Sequence, residues 1–588
     1  MTTDQNYQQI YRVGGMLDAG FVGQITYTIS LDQVYDELDI HFSFDKRLYS
    51  ESDVTPELID RLQTLCTAKY DAPTYPVEEF RQTILHEMKT EIHTMAELND
   101  NFIGCIHRQL TDRHMLYTKE FTSDGCLAQD TFSGVLKVTV LVFNVLLDNT
   151  QYTLTVSGHP VGQGVIAPNF NLMDTVKTAA GNAGASNAAG SADNSCDAES
   201  APASAVATAG SSGVSGAGSA ATAGDSSTTG SSSAGNTVTA STRFKRLELH
   251  NHTVESDGSL TCQELTEYLA ADHVDAFAIT DHNTTSGQKK IEQLLEEKHY
   301  PISLIRGMEY TTYFGHILCL NLSKYVPWNS IDQHRPELLF EAAREKGALV
   351  GIAHPFSYGD PFARGCRFEM TISDYSKVDF IEIFNNPEPL HEVNERGTNL
   401  WMSLIFSGYQ ITATSGMDLH NRAKLAGCYA TYIEGKSGDN IASELDTAIH
   451  THRTWVSKGA LLLTEVLPET NELLLTFTDA HKPGFAVPKT AQAVLKGKDK
   501  TFTTSVSLDK PVRISLNQLS GTDPIIPLLY EAPGINGAAT VSNAAHVAAS
   551  TSCGSAADAS SAAGQLKEID ALPAIEGLLC VSPVLYRD

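Results

Sequence analysis

Between Leu247 and His420 the chain sets out histidines and carboxylates in a series that could hold metal ions. The series runs His250-Asn251-His252, Ser256-Asp257-Gly258 and Thr280-Asp281-His282, then Met308-Glu309, Gly315-His316, Ala353-His354-Pro355 and Asp418-Leu419-His420. Imidazole and carboxylate are the ligands that Zn²⁺, Mn²⁺ and Fe²⁺ accept. Several such ions in one pocket would serve the hydrolysis of a stable ester or amide.

Taken singly, each motif has an ordinary explanation. His250-x-His252 puts two imidazoles on one side of an extended chain, because alternate residues share a face. Two surface histidines would look the same. The letters H-N-H are a tripeptide and carry no nuclease signature. Asp257, just before Gly258 and a helix, has the place of a helix cap. Asp281 could orient His282 from behind the ligand shell or cap the next helix. Glu309 alone could be a salt-bridged surface residue, yet its two oxygens can bridge two cations. His354 closes a run of small apolar residues, an odd place for an idle imidazole. Asp418-x-His420 repeats the geometry of the first pair. No single ordinary explanation covers all of them in this order, so the series is read as one metal centre.

The elements that must position these residues have a strand–loop–helix texture. Short apolar strands are expected at 247–249, 276–280, 348–353, 378–383 and 411–414, with a helix at 259–271. The motif residues follow strand C-terminal ends, where α/β barrels build active sites from their loops. A strand at 429–433, a helix at 441–452 and a strand at 454–457 come next. Alternating residues from Glu472 onward predict a small β-rich module, with strands near 473–477, 506–508 and 512–516 and a last one within 577–585. The N-terminal segment is predicted to be a mixed domain. Leu38, Ile40, Phe42 and Phe44 alternate with polar residues as in a half-buried strand. Strands at 135–147 and 152–156 are joined by a turn at 148–150, and helical spacing covers 56–68 and 77–98. No chemistry is expected in that segment; His86, His93, His107 and His114 are assigned as ordinary surface or core residues.

Composition sets the outer bounds. At 588 residues, with 42% hydrophobic, the chain calls for two or more domains with ample cores. A formal charge of −29 argues against a surface for duplex nucleic acid, though not against a short nucleotide or a single-stranded end. The ten cysteines form no C-x-x-C pair, so neither a structural zinc site nor a disulfide framework is expected, and a reducing compartment fits. The chain starts without a basic, apolar leader and has no run of membrane-spanning length, which predicts a soluble cytoplasmic protein. Two runs are low in complexity. The first, 175–242, is almost wholly Ala, Gly, Ser and Thr, with no aromatic residue between Phe170 and Phe244. It is expected to be a disordered linker that permits loose docking of its two ends. The second, 534–564, interrupts the C-terminal module. The expected domains are therefore 1–174, 243–457 and 458–588, with the linker between the first two.

The motif series resembles the PHP (polymerase and histidinol phosphatase) superfamily of metal-dependent phosphoesterases. The resemblance rests on Leu249-His250-Asn251-His252-Thr253, Ser256-Asp257-Gly258, Ile279-Thr280-Asp281-His282 and Ala353-His354-Pro355, and covers roughly 243–454. The layout around it is similar to CehA/McbA-type metallohydrolases, with Tyr429-Ala430-Thr431-Tyr432-Ile433 and Thr454-Trp455-Val456-Ser457 resembling their post-barrel segment. The resemblance implies an α/β fold: a distorted (β/α)7 PHP barrel, here flanked by an N-terminal β-rich α+β domain and a small C-terminal β-rich module. It also implies three divalent ions (Mn, Zn or Fe) in a trinuclear site. His250, His252, Glu309 and Asp418 would hold the first, and Glu309 would bridge to a second held by His316 and His354. Asp257, His282 and His420 would hold the third. Met417 stands where the motif often has serine, which is not a ligand position. The implied reaction is hydrolysis of a small phosphomonoester or nucleotide by a metal-activated water. Glu309, His354 and Asp281 are the expected catalytic group, and Arg364, Arg367 and Arg422 are candidates to clamp the phosphate, although each also fits a plain surface arginine. Two alternatives stay open: amide or carbamate cleavage at the same centre, and a non-catalytic metal-binding protein.

Overall fold

The computed structural model describes residues 7–70, 76–108, 110–146, 149–161, 244–332, 334–385, 392–435, 440–532, 566–569 and 571–586. The two low-complexity runs, 175–242 and 534–564, lie outside the described residues, as does the start of the turn expected at 148–150.

Alternation of apolar and polar residues builds an antiparallel N-terminal sheet. Its strands are β1 (Gln8–Leu17), β2 (Gly23–Phe44), β3 (Glu91–Leu98), β4 (Asn101–Ile106), β5 (Asp112–Tyr117), β6 (Phe132–Asn144) and β7 (Thr150–Pro160). The order is β1-β7-β2-β6-β3-β4, with β5 added on β2. Leu38, Ile40 and Phe42 are fully buried, as their alternation requires. Between β2 and β3 lie helices α1 (Pro56–Tyr70) and α2 (Val77–His86). The helix expected over 77–98 therefore stops halfway. Residues 91–98 instead form β3, paired on one side with β4 and on the other with β6. Seven of its eight residues are buried, and a strand enclosed in this way is set by its neighbours rather than by local spacing.

The second sheet carries the motif residues. It contains β8 (Phe244–Glu248), β9 (Ala276–Ile279), β10 (Ser303–Thr312), β11 (Gly315–Leu320), β12 (Leu349–Ile352), β13 (Phe380–Phe384), β14 (Thr412–Ser415), β15 (Ala430–Glu434) and β16 (Thr454–Ser457). Flanking helices are α3 (Cys262–Ala271), α4 (Ser286–Lys298), α5 (Glu337–Arg344), α6 (Glu392–Phe406) and α7 (Ile441–His450). Thr261 and Glu264 start α3 as a reciprocal capping box, which satisfies two otherwise orphaned backbone donors. The C-terminal strands are β17 (Ala460–Leu467), β18 (Glu472–Asp479), β19 (Thr490–Lys496), β20 (Thr501–Ser507), β21 (Val512–Ser515), β22 (Ile526–Glu531), β23 (Lys567–Ile569) and β24 (Leu578–Val581). Most of them continue the second sheet, whose order is β14-β13-β12-β11-β10-β9-β8-β15-β16-β24-β22-β19-β20-β23, while β17-β18-β21 form a sheet of their own.

The architecture is mixed α/β and rich in strands. Parallel pairing, as a β/α barrel needs, holds over β8–β9–β10 and β12–β13–β14. It fails elsewhere, because the tight turn at Tyr313-Phe314 joins β10 to β11 antiparallel with no helix between them. β8 and β15 are antiparallel as well. No described helix is long and apolar enough to cross a membrane.

The N-terminal sheet shares a core with the second one. Met95, Cys105, Leu141 and Phe143 pack in one cluster with Met308, Tyr310, Ile317 and Cys319. Fully burying a side chain such as Phe143 stabilises by about 1.5–3 kcal/mol. Polar ties reinforce the join: Tyr313 Oη donates to Gly23 O at 2.9 Å and Tyr70 Oη donates to Asp360 O at 2.5 Å. The loose docking expected from the linker composition is replaced by a packed interface.

Candidate metal centre

The first histidine pair is aimed by backbone pairing on both sides. Thr280 N donates to Asn251 O at 3.0 Å, and Asn251 N donates to Thr280 Oγ1 at 2.9 Å. On the other side His252 N donates to Leu419 O at 2.9 Å, and Leu419 N to His250 O at 3.1 Å. The segment is thus extended, and His250 and His252 point one way while the Asn251 side chain is tied back to Ala278 O. Gly416 and Gly258 permit the close approach. A Cβ on Gly416 would stand 2.5 Å from His250 Cβ, and one on Gly258 2.5 Å from His252 O. His354 and Asp418 have positive φ, 22° and 49°. Left-handed backbone at residues other than glycine is costly and tends to collect at functional sites.

Glu309, at the middle of the centre, is fully buried. Its Oε2 lies 3.1 Å from His250 Nε2, 3.3 Å from His252 Nε2 and 3.1 Å from His282 Nδ1. Its Oε1 faces His316 Nδ1 at 2.8 Å and His354 Nε2 at 3.0 Å. Asp418 Oδ1 lies 2.9 Å from His252 Nε2 and 3.4 Å from His250 Nε2. Asp257 Oδ1 faces His420 Nε2 at 3.2 Å and His282 Nε2 at 3.6 Å. Donors on one ion, each about 2.1 Å from it, stand roughly 3.0–3.5 Å apart, which is the spacing seen here.

Three overlapping groups could each hold an ion: His250, His252, Glu309 and Asp418; His282, Glu309 and His316; and His252, Asp257, His282 and His420. All nine residues singled out from the sequence as ligands are brought together. The groups differ from the expected sets in two ways: His282 joins the second through Glu309 Oε2, while His354 approaches Oε1 beside His316, and His252 extends the third.

The donor set fits divalent cations. His250 Nε2, His252 Nε2, His316 Nε2, Asp257 Oδ1, Glu309 Oε2 and Asp418 Oδ1 are buried and make no hydrogen bond among the described residues. Each such orphan would cost about 1–3 kcal/mol unless another partner satisfied it. Among the described ion pairs, Glu309, Asp257 and Asp418 face only histidines, never lysine or arginine. Burial alone would raise the Glu309 carboxyl, but His250, His316 and His282 hold it well below the usual range. Asp418 is likewise held down against burial, by His250, His420 and His252. The carboxylates thus stay ionised in a buried space where positive charge has to be supplied.

A ring of supporting groups fixes the imidazoles. Glu382 Oε1 accepts from His250 Nδ1 at 3.1 Å, and its Oε2 accepts from His354 N at 3.0 Å and Asn385 Nδ2 at 2.9 Å. His354 Nδ1 donates to Cys366 O at 3.2 Å, and His420 Nδ1 to Asp418 O at 2.9 Å. Holding Nδ1 in this way turns Nε2 inward, the arrangement ligating histidines commonly have.

Other sequence-predicted residues fall elsewhere. Asp281 neither holds His282 nor caps a helix. Its oxygens accept from Thr253 N at 2.7 Å, Thr253 Oγ1 at 2.8 Å and Ser256 Oγ at 2.7 Å, so it staples the loop that carries Asp257. Arg364 pairs with Asp360 at 3.2 Å. Arg367 lies over the Tyr70 and Phe356 rings and Arg422 over Tyr268, so their described contacts lie outside the ligand cluster. Two residues were missed. Glu382 is a lone charge inside the apolar run Phe380–Phe384, a sign of a buried carboxylate with a task. His107 follows the apolar strand β4 and lies 3.4 Å from Asp257. A polar residue closing an apolar strand was the same signal that singled out Thr280-Asp281-His282.

Comparisons with known proteins cover parts of the chain. Residues 7–160 match the model of a family of unknown function (DUF6669). Over 112 residues, 19% of the chain, it is 30% identical to an uncharacterized protein of Methanocaldococcus jannaschii, spanning 58% of that protein. Over 141 residues, 23% of the chain, it is 36% identical to a 5′-3′ exoribonuclease of Haemophilus influenzae, spanning 50% of it. The chain thus matches little more than half the length of these relatives. Among solved structures it is similar to a two-domain protein from Bacteroides vulgatus, described as containing a predicted PHP-like metal-dependent phosphoesterase. The likeness has 15% identity and a TM-score of 0.28, and covers 49% of this chain and 91% of that one.

Proposed function

We propose that this protein is a metal-dependent hydrolase that cleaves the phosphoester of a small phosphomonoester or a nucleotide. The observation that carries the reading is Glu309, fully buried, with one oxygen toward His250 and His252 and the other toward His316 and His354. On this reading His250, His252, Glu309 and Asp418 hold one ion and Glu309, His316 and His354 a second. Asp257, His282 and His420 hold the third, and β8 to β15 make up a distorted barrel that presents them. Bound divalent ions would lower the pKa of a water and neutralise charge on the phosphate oxygens.

The remaining work falls to the chain itself. Glu382 holds the His250 ring and the His354 backbone in place. Burial of His250, His252 and Glu309 excludes bulk water and strengthens every charge interaction inside. Arg364, Arg367 and Arg422 would need to swing from their present partners to reach a phosphate.

The similarity to a 5′-3′ exoribonuclease favours a nucleotide 5′ end among phosphoester substrates. A net charge of −29 is compatible with a single strand whose terminal phosphate alone enters the centre. The test is a substrate panel of p-nitrophenyl phosphate, bis-p-nitrophenyl phosphate, mononucleotides, a 5′-phosphorylated RNA oligomer and an aryl carbamate, each with and without added Mn²⁺ or Zn²⁺. Metal-dependent turnover of a phosphoester, lost in Glu309→Gln, is expected. Turnover of the carbamate alone would replace this reading with amide-type hydrolysis, and no turnover by protein shown to hold its ions would leave a non-catalytic metal-binding protein.

A further inference from the structure

The N-terminal sheet reaches the ligand cluster at one point. His107, directly after β4, is 5% exposed and lies between two other imidazoles. Its ring stacks on His282 with centroids 4.1 Å apart and planes at 22°. On its other side is His93, 4.0 Å away, whose Nε2 donates to Glu91 Oε1 at 3.1 Å. His107 Nε2 lies 3.4 Å from Asp257 Oδ2. The two oxygens of Asp257 are thus divided, Oδ1 toward His282 and His420 of the second sheet, Oδ2 toward His107 of the first.

The same stretch of the N-terminal sheet is pinned beside Asp257 by a separate set of bonds. Gly125 N donates to Glu255 Oε2 at 3.0 Å, and Thr284 Oγ1 donates to Gly125 O at 2.9 Å. Gly125 has φ +79°, and a Cβ there would meet Cys105 O at 2.3 Å, so only glycine fits this join. Glu255 and Thr284 each stand two residues from a predicted ligand, Asp257 and His282 respectively. The placement of His107 is therefore built into the interface.

We propose that His107 is a positioning residue for the ion subsite of Asp257, His282 and His420. It holds the outer oxygen of Asp257, which leaves the inner oxygen facing the ion, and the N-terminal sheet thereby becomes part of the metal centre. A carboxylate steadied from behind binds a metal more tightly than a free one; loss of such a partner commonly weakens binding about 10–100-fold. This inference rests on the metal reading above.

The test is a titration of the full chain, stripped of metal, with Mn²⁺ and separately Zn²⁺, counting ions per chain by elemental analysis at each free concentration. Wild type, His107→Ala, His107→Gln, Asp257→Asn and the double variant His107→Ala with Asp257→Asn are compared, with circular dichroism and melting of the stripped proteins as the check on folding. Expected is a roughly 10–100-fold loss of affinity for one ion in His107→Ala, with the others unchanged. His107→Gln, which keeps an N–H donor, should recover part of it, and His107→Ala should add no further loss in the Asp257→Asn background. His107→Gln also carries the test should His107→Ala fail to fold. Equal affinities in wild type and both His107 variants would overturn the proposal, as would a uniform loss of every ion. A fourth ion that vanishes with His107 but survives in Asp257→Asn would overturn it too, by placing His107 in a separate site with Glu91 and His93. Wild type that takes up no ion would instead sink the metal reading, and this inference with it.

Discussion

His420 is caught between two carboxylates. Burial alone would lower its pKa, but Asp257 and Asp418 carry it up to about 10. That lies above the roughly 6.5 of an unfolded imidazole. In the ion-free protein the protonated ring therefore stabilises the fold fully below about pH 6.5, and the contribution fades as pH rises through about 10. A divalent ion can take the same ring only after the proton leaves. Mn²⁺ binding should tighten with rising pH, by about tenfold per unit while one proton is displaced. Calorimetry in two buffers of different ionisation enthalpy would show proton release; binding indifferent to pH would contradict it. At this scale the ligand types were legible, because histidines and carboxylates at strand ends are conspicuous. Glu382 showed only as a lone charge in an apolar run, because its partner His250 lies 132 residues away in sequence. The partners of the three arginines were not legible either: nearness to a motif in sequence does not say that Arg364 pairs with Asp360, or that Arg367 and Arg422 lie over Tyr70 and Tyr268.

Strand ends bring the ligands close enough only where side chains give way. A Cβ on Gly416 would meet His250 Cβ at 2.5 Å and Glu382 Oε1 at 2.7 Å, and so would displace both the imidazole and the group that holds it. Gly347 has φ +80° and open space around its Cβ position. Gly416→Ala should cost about 1–3 kcal/mol from overpacking and weaken metal uptake as well. Gly347→Ala should cost about 1–2 kcal/mol from backbone strain, with metal uptake intact. Melting curves alongside metal titrations would separate the two effects, and intact uptake in Gly416→Ala would refute the argument. Elements whose order is set by local pattern were readable from sequence, β9, β12, β14 and α3 among them. Those set by distant partners were not. β2 runs for 22 residues because β6 pairs its first half and β7 and β5 its second. β3 resembles helix in sequence because Phe80, Ile84, Met88 and Ile92 keep helical spacing across the break after His86.

For the molecule as a whole, the packed interface between the two sheets predicts behaviour that the linker composition does not. With Met95, Leu141 and Phe143 in one core with Tyr310 and Ile317, separating the halves would expose a large apolar face. A protease site placed within 175–242 and cut in the native protein should leave two fragments that co-elute on gel filtration and keep their metal. Elution as separate species would show the interface to be too weak to hold alone. The division of Asp257 between His107 and the pair His282 and His420 extends this point to the chain's ancestry and engineering. The most visible seam in the sequence runs through the neighbourhood of a single carboxylate. A gene fragment encoding 243–588 would carry every ligand picked out from the sequence and still lack one wall of the site. Swapping the segment before the seam for an unrelated sheet would be a change to the metal centre as well as to its packing.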